Sequence, residues 1–187
     1  VDAAKFAFKE YGFNGTSMDK LAEIAKVTKR TVYNHFESKE ALVMHVMTDL
    51  WQSAMVQIDI EYDSAKPLEE QLFALLKAEV DLVSSQENID MTRVALGHLF
   101  YNPEALQKEF EKYPPEDTAL FKWLTLAAND KNLDIADIGF AYDQLDSLIK
   151  GSCFWPQLIK VKEVPSEEEK VCIAKETARI FIAGYKT

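Results

Sequence analysis

The chain has 187 residues, of which 48% are hydrophobic and 28% are charged, and it contains only six glycines and six prolines. This length and hydrophobicity allow a buried core in one or two domains and exclude a disordered protein. Apolar residues recur at intervals of three and four, which predicts an all-α fold. With no signal sequence and no apolar run of 18 residues, we expect a cytoplasmic protein with no membrane partner.

The net charge of −10 is unevenly distributed along the chain. Residues 1–50 hold seven Lys or Arg and seven Asp or Glu, so all of the excess negative charge lies in residues 51–187. Four cations, Lys26, Lys29, Arg30 and Lys39, stand close together against the single acid Glu37. Charge alone leaves a DNA-binding protein and an ordinary acidic protein equally open, so the decision rests on the motif.

The first fifty residues predict four helices in close succession. The first ends at Tyr11, where Gly12 follows, and the second begins after Thr16-Ser17 with Asp19 in its first turn. The third, Lys29 to His35, is capped by Thr28 and too short to be stable without packing. Val32 and Phe36 anchor it inward, and Ser38 caps a long fourth helix that extends to about Asp59.

Two helices joined by a tight turn form a helix-turn-helix when the second is small and rich in polar side chains. The third helix fits, because its residues other than Val32 carry donors for base edges and phosphates. The stretch resembles the DNA-binding domain of TetR/AcrR-family transcriptional regulators. The matching residues are Phe6 to Tyr11, Gly12-Phe13, Thr16-Ser17, Ile24-Ala25, Val27, Thr28-Lys29, Thr31-Val32-Tyr33, His35-Phe36, Ser38-Lys39-Glu40 and Leu42.

The resemblance implies a three-helix DNA-binding domain over residues 1–46 and a larger helical regulatory and dimerisation domain over residues 47–187. It also implies a repressor, since most proteins of the family are repressors. Two positions depart from the family pattern. Lys26 and Arg30 stand where glycine is common, so Lys26 either adopts a left-handed conformation or alters the turn. The chain begins in what reads as mid-helix, and in this family an N-terminal arm before this helix is often basic and can contact DNA.

We predict a DNA-contacting surface on the second and third helices. Lys29 and Arg30 are expected to reach base edges or phosphates, with guanine favoured if Arg30 binds in a bidentate manner. Phosphate contacts are predicted for Thr16, Ser17, Tyr33 and Lys39, as for their counterparts in the family. The surface is completed by Thr28, Thr31, Asn34 and His35. Structural alternatives stay open for three of these residues: a core-rim position for Tyr33, a helix-end role for His35 and a solvated helix start for Lys39.

Two broad apolar helices near the C-terminus predict a homodimer. The helices at about 134–155 and 167–185 carry apolar residues on several faces, so they need burial on several sides. A two-fold four-helix bundle provides that burial, and the family resemblance implies the same arrangement. Two reading helices related by a two-fold axis then require a palindromic operator in double-stranded DNA.

The larger domain is expected to bind a small apolar or amphipathic effector. Binding is expected to change the distance between the DNA-reading third helices of the two subunits, through the long fourth helix that Ser38 caps. Its predicted lining consists of Trp51, Met55, Phe73, Leu76, Val80, Leu96, Phe100, Phe121, Leu124 and Phe140. For each of these residues an ordinary core position is the alternative.

No cofactor, metal site or enzymatic activity is predicted. The chain lacks a glycine-rich phosphate loop, a nucleophile elbow and a metal-ligand spacing of its histidines, and Cys153 and Cys172 are expected to be buried, reduced thiols. Besides an effector-controlled regulator, two readings remain open: a DNA-binding protein with an architectural or occlusion role, and a helical enzyme with a concealed site.

Overall fold

The structure, a computed structural model, describes residues 1–57, 61–99, 104, 107, 111 and 114–186, and the side chains of residues 50–57 and 97–99 lie outside that description. Over the described residues the chain is helical, without a strand, apart from an isolated antiparallel bridge between Leu133 and Lys186. The predicted all-α fold is confirmed.

Four helices form the first part of the chain: α1 (Asp2–Tyr11), α2 (Met18–Ile24), α3 (Lys29–His35) and α4 (Lys39–Gln57). Their starts follow from local hydrogen bonds. The hydroxyls of Ser17, Thr28 and Ser38 accept from the backbone N–H three residues later, each at 3.1 Å. These bonds satisfy donors that the first turn of a helix leaves free. The predicted caps Thr28 and Ser38 are confirmed, and Ser17 caps the second helix at its predicted start.

The later helices are α5 (Leu68–Val83), α6 (Gln86–Leu99), α7 (Ala119–Asn129), α8 (Ile138–Cys153), α9 (Trp155–Leu158) and α10 (Glu167–Tyr185), with a 3-10 turn at Pro115–Asp117. Ser166 and Glu169 form a capping box at the start of α10. The predicted start of α8 at Asp134 is wrong. Asp137 is the cap, and the Asp134 N–H donates instead to the Tyr185 carbonyl at 2.8 Å.

The chain divides into two compact units. Unit 1 comprises Val1–Ser53 and Glu87–Lys112, so it takes in most of α6 as well as the first helices. Its core includes Phe8, Leu21, Val32 and Val46, and Met91 and Ala95 of α6 belong to the same apolar cluster. The unit therefore contains residues well beyond the domain boundary predicted at residue 46.

Unit 2 comprises Ala54–Gln86 and Tyr113–Thr187. In it α10 packs on α5 and α8. A buried glutamine joins the loop before α5 to α7: Gln71 accepts from the Asp63 N–H at 2.8 Å and from the Trp123 indole N–H at 3.3 Å. Its amide group also donates to the Asp63 carbonyl, so both ends of this buried side chain are satisfied.

The two cysteines differ in their surroundings. Cys153 is buried, as predicted, and its thiol donates to the Ile149 carbonyl at 3.2 Å. Burial raises the pKa of the Cys153 thiol to about 12. Cys172 is exposed on α10, so the prediction that both thiols are buried is wrong for this one. Cys172 stands in an apolar sequence pattern because the exposed face of α10 also carries apolar residues, such as Val171 and Ile180.

Candidate nucleic-acid interface

The turn between α2 and α3 closes without glycine. The Lys26 N–H donates to the Glu23 carbonyl at 3.1 Å, and the Val27 N–H donates to the Ala22 carbonyl at 3.0 Å. Lys26 has a φ of 54°, the left-handed conformation that glycine adopts most easily. The predicted departure from the family pattern is thus accommodated by backbone strain at Lys26 and not by a different turn.

Helix α3 is held to unit 1 by few side chains. Val32 is its one buried residue, and Phe36 just beyond its end is half-buried against the same cluster. A helix of seven residues needs such packing to persist. The inward positions predicted for Val32 and Phe36 are confirmed, and the other faces of α3 remain open.

The open faces of α3 carry most of the predicted contact residues. Arg30, Asn34 and His35 are exposed, and the Tyr33 ring is 45% exposed. The side chains of Arg30 and Asn34 make no hydrogen bond or ion pair with any residue that the structure describes. A guanidinium with five unengaged donors can bind a guanine edge or a phosphate in a bidentate manner.

Lys29 has a partner on α2. Its ammonium lies 2.7 Å from Oδ1 of Asp19 and 5.8 Å from the centre of the Tyr33 ring. The hydrogen bond to Asp19 and the negative charge of that carboxylate raise the pKa of Lys29. Lys29 therefore stays cationic, with its ammonium group directed toward α2. The ten-residue separation of the pair crosses the turn, so no local spacing in the sequence revealed it.

Lys39 is bound to the segment that follows α1. Its ammonium donates to the Phe13 carbonyl at 2.6 Å and lies 4.0 Å from the centre of the Phe13 ring. An ammonium group has three donors, so at least one remains for a phosphate. Ser17 is exposed, and its hydroxyl caps α2.

Thr16 does not belong to the exposed surface. Its side chain is 1% exposed, and its hydroxyl lies 2.8 Å from the Gly12 carbonyl and 3.1 Å from the Ala7 carbonyl, to which it donates. We therefore remove Thr16 from the set of proposed phosphate contacts. Its neighbour Ser17 keeps the exposed position, because only one of two adjacent side chains can face the core here.

The threonines at the start of α3 bond to each other. Thr28 is exposed and Thr31 half-buried, and their hydroxyl oxygens are 2.8 Å apart. The Thr28 oxygen also caps the helix, so its capacity for a further bond is limited. The His35 ring lies 6.3 Å from the Phe36 ring at the helix end, where both of the predicted roles remain available to it.

The predicted effector-lining residues fall into several groups. In unit 2, Leu76, Val80 and Leu124 are fully buried, whereas Phe73 and Phe121 are half-buried. Leu96 is half-buried and belongs to unit 1. Trp51, Met55 and Phe100 lie outside the described side chains.

Phe140 contradicts the predicted lining, because its ring is 59% exposed on the outside of α8. In contrast, the Phe121 ring lies 5.8 Å from that of Tyr142 on the inner side of the same helix. Burial raises the pKa of Tyr142, so its hydroxyl remains protonated at neutral pH.

The structure also bears on metals and membranes. Among the described residues no group of three or more His, Cys, Asp or Glu side chains is arranged to hold a metal ion. In the same part of the chain, no helix combines the length and the apolar character needed to span a bilayer.

Comparisons with known proteins agree with this geometry. Residues 1–46 match the family model described as bacterial regulatory proteins, tetR family, and residues 70–187 match that of the AefR-like transcriptional repressor, C-terminal domain. YhgD of Bacillus subtilis (strain 168), an uncharacterized HTH-type transcriptional regulator, is 27% identical over 125 residues. These residues are 63% of this chain and 65% of YhgD, so the chain spans just under two thirds of the length of that curated relative.

Solved structures resemble the whole chain. A TetR family transcriptional regulator from Pseudomonas syringae pv. tomato str. DC3000 has a TM-score of 0.80 and 31% identity, over 99% of this chain and 94% of that one. The transcriptional regulator FadR from Bacillus subtilis, solved in complex with stearoyl-CoA, has a TM-score of 0.69 and 17% identity, over 98% and 96% of the two chains. At that identity, FadR shares the fold alone.

Proposed function

The chain belongs to the TetR family of transcriptional regulators, and we propose that it is a repressor released from a palindromic operator by a small apolar or amphipathic molecule. Its role as a DNA-binding regulator of the repressor type follows from the family. We further propose that it regulates without catalysing a reaction and that it acts in the cytoplasm, where its operator DNA would be.

The observation that carries the DNA-binding part of the proposal is the exposed face of α3. Val32 fixes the helix, while Arg30, Tyr33 and Asn34 face outward on a short, narrow element. Such a helix fits the major groove, and its donors match both base edges and phosphates. We propose that Arg30 and Lys29 read bases and that Ser17, Tyr33 and Lys39 contact phosphates, with Thr28, Thr31, Asn34 and His35 completing the surface.

The outer faces of α8 and α10 support a two-fold dimer. Leu148 on α8 and Val171 and Ile180 on α10 are large apolar residues that are exposed in the single chain, and Phe140 joins them. A monomer seldom leaves several such residues exposed on packed neighbouring helices. Pairing with a second copy would cover them and would present two α3 helices to the two halves of a palindrome.

The effector is proposed from the interior of unit 2. Phe73, Phe121 and Tyr142 are half-buried aromatic residues of this unit, and the ring centres of Phe121 and Tyr142 lie 5.8 Å apart. This chemistry suits an apolar or amphipathic molecule, and stearoyl-CoA, the ligand of FadR, is amphipathic. Helix α4 continues from unit 1 at Ser53 into unit 2 at Ala54, which supports its proposed role in coupling effector binding to DNA release.

The test begins with selection of bound duplexes from random-sequence DNA. Tyr33→Ala should weaken binding to the selected duplex without changing the melting temperature, and the slope of log K against log salt should stay nearly unchanged, because an uncharged tyrosine hydroxyl releases no counterion. Tyr11→Ala is the matched control, because Tyr11 is equally exposed, at 45%, and also has a lysine over its ring. A Tyr33→Ala protein that binds as tightly as the unaltered chain would remove Tyr33 from the contact surface.

Two further measurements separate the regulatory role from its alternative. Genome-wide capture of bound DNA should return one or a few sites near promoters, whereas many scattered sites would support an architectural role. Repeating the duplex titration with a fractionated metabolite extract should reveal an apolar fraction that weakens binding. Absence of any such fraction would contradict effector control.

A further inference from the structure

The ion pair between Asp19 and Lys29 places a negative charge on the surface that is proposed to meet DNA. Asp19 is the second residue of α2 and Lys29 is the first residue of α3, and their charged atoms lie 2.7 Å apart. Both side chains are mostly exposed, at 65% and 58%. Exposed pairs add little to fold stability, so stability gives no sufficient reason for this one.

An acid in this place opposes binding to any phosphate backbone. Binding to random DNA depends on how many phosphates the protein neutralises with its cations, because each one releases condensed counterions. While Lys29 is paired with Asp19, the two charges cancel, and the ammonium is directed along the protein surface. The pair therefore removes one cation from the sequence-independent part of binding.

A base edge changes this balance, because guanine offers two acceptors, O6 and N7, at a fixed place in the major groove. An ammonium group has three donors, so Lys29 can keep one bond to Asp19 and still donate to such an edge. Tyr33, whose ring centre lies 5.8 Å from the Lys29 nitrogen, limits the directions that the side chain can take. The pairing thus favours one fixed direction for Lys29 over a mobile cation that can reach any nearby phosphate.

We propose that Asp19 is a specificity-determining residue that acts through Lys29, restraining its ammonium so that it serves an operator base and not the phosphates of unrelated DNA. Asp19 acts as a positioning residue and need not touch DNA itself. The inference rests on the proposed function, because it requires that α3 enter the major groove of an operator.

The experiment compares two duplexes of equal length, one selected from random-sequence DNA for tight binding and one of scrambled sequence. Fluorescence anisotropy titrations over a range of KCl concentrations give the affinity and the salt slope for each. In Asp19→Asn, Lys29 is freed, so the slope for scrambled DNA should become steeper by about 0.9 per protomer. If the two proteins bind scrambled DNA equally at about 1 M salt, this change in slope corresponds at about 0.15 M salt to about fivefold tighter binding per protomer. Affinity for the selected duplex should change less, so the ratio of the two affinities falls.

The matched control is Glu23→Gln. Glu23 lies on the same helix, is exposed, and forms no ion pair with any described residue, so this change removes an equal charge without freeing a lysine. Glu23→Gln should change the affinity for both duplexes by the same small factor. In a Lys29→Met background, Asp19→Asn should have no more effect than Glu23→Gln.

The possible outcomes are distinct. Equal effects of Asp19→Asn and Glu23→Gln, or an undiminished effect of Asp19→Asn in the Lys29→Met background, would mean that Asp19 acts only through net charge and would overturn the inference. If the unaltered protein prefers no duplex to scrambled competitor, then the proposed function itself fails. Melting temperatures of all variants establish that each is folded when titrated.

Discussion

Replacing Thr16 by valine tests whether this residue supports the fold or contacts DNA. The side chain is 1% exposed, and valine fills nearly the same volume, so the change removes one buried donor while retaining the packing. Its hydroxyl serves the Gly12 carbonyl at 2.8 Å and the Ala7 carbonyl at 3.1 Å. Loss of a buried hydrogen bond that leaves its partner unsatisfied costs about 1–3 kcal/mol. For a chain of this size each kcal/mol lowers Tm by about 2–4 °C, so we expect a decrease of about 2–12 °C.

Differential scanning calorimetry is the suitable assay, because it resolves unit 1 from unit 2 if they unfold separately. Thr16→Ser is the matched control: it keeps the donor and loses one methyl group, which is worth about 0.8 kcal/mol. Duplex titrations below the transition should show an unchanged affinity for Thr16→Val. A variant that melts like the unaltered protein but binds the selected duplex more weakly would refute the structural role and restore Thr16 as a phosphate contact.

Two further predictions concern unit 2. Burial raises the pKa of Glu79 above its ordinary value of 4.5, while the charge of Lys150 lowers it and that of Asp146 raises it further. The native state therefore binds more protons at this carboxyl than the unfolded state does. As a result, the contribution of Glu79 to stability falls as pH rises above 4.5. Glu79→Gln should therefore raise Tm at pH 7.5 by more than it does at pH 5, and an equal or opposite change in calorimetry at the two pH values would contradict this. Ile180→Glu should place a charge in the proposed dimer interface and give a monomer in light scattering at micromolar concentration. A dimer that persists in this variant would locate the interface elsewhere.

The parts of the structure that the sequence could predict are those set by neighbouring residues. Ser17, Thr28, Ser38 and Ser166 cap helices because a hydroxyl there meets an N–H three residues later. The left-handed conformation of Lys26 follows in the same way from a turn that needs it, whichever residue is present. In these cases the interacting groups are close in sequence, so a short pattern contains the information.

The predictions that failed depend on distant parts of the chain. Thr16 was predicted to contact phosphate, but it is buried and its hydroxyl donates to the Ala7 carbonyl of α1, nine residues away. Asp134 and Asp137 are equally suitable starts for α8, and the difference arises because the Asp134 N–H bonds to Tyr185 near the other end of unit 2. The Asp19–Lys29 pair was missed for the same reason, since two helices must be placed before the contact exists.

The composition of unit 1 bears on how an effector signal would reach α3. Buried Met47 of α4 and buried Met91 of α6 belong to the same apolar cluster, and Lys5 of α1 lies 3.4 Å from Asp49 of α4 and 3.6 Å from Glu87 of α6. The chain passes between the units at Ser53–Ala54 in α4 and at Gln86–Glu87 in α6. At a rise of about 1.5 Å per residue, Met91 is about 6 Å from its crossing point and Met47 about 9 Å from its own. Because this cluster is close-packed and contains side chains of both helices, a shift of one helix displaces side chains that pack against the other. In the proposed coupling, a movement of α4 would therefore also involve α6, whose Met91 lies closer to its crossing point than Met47 does to its own.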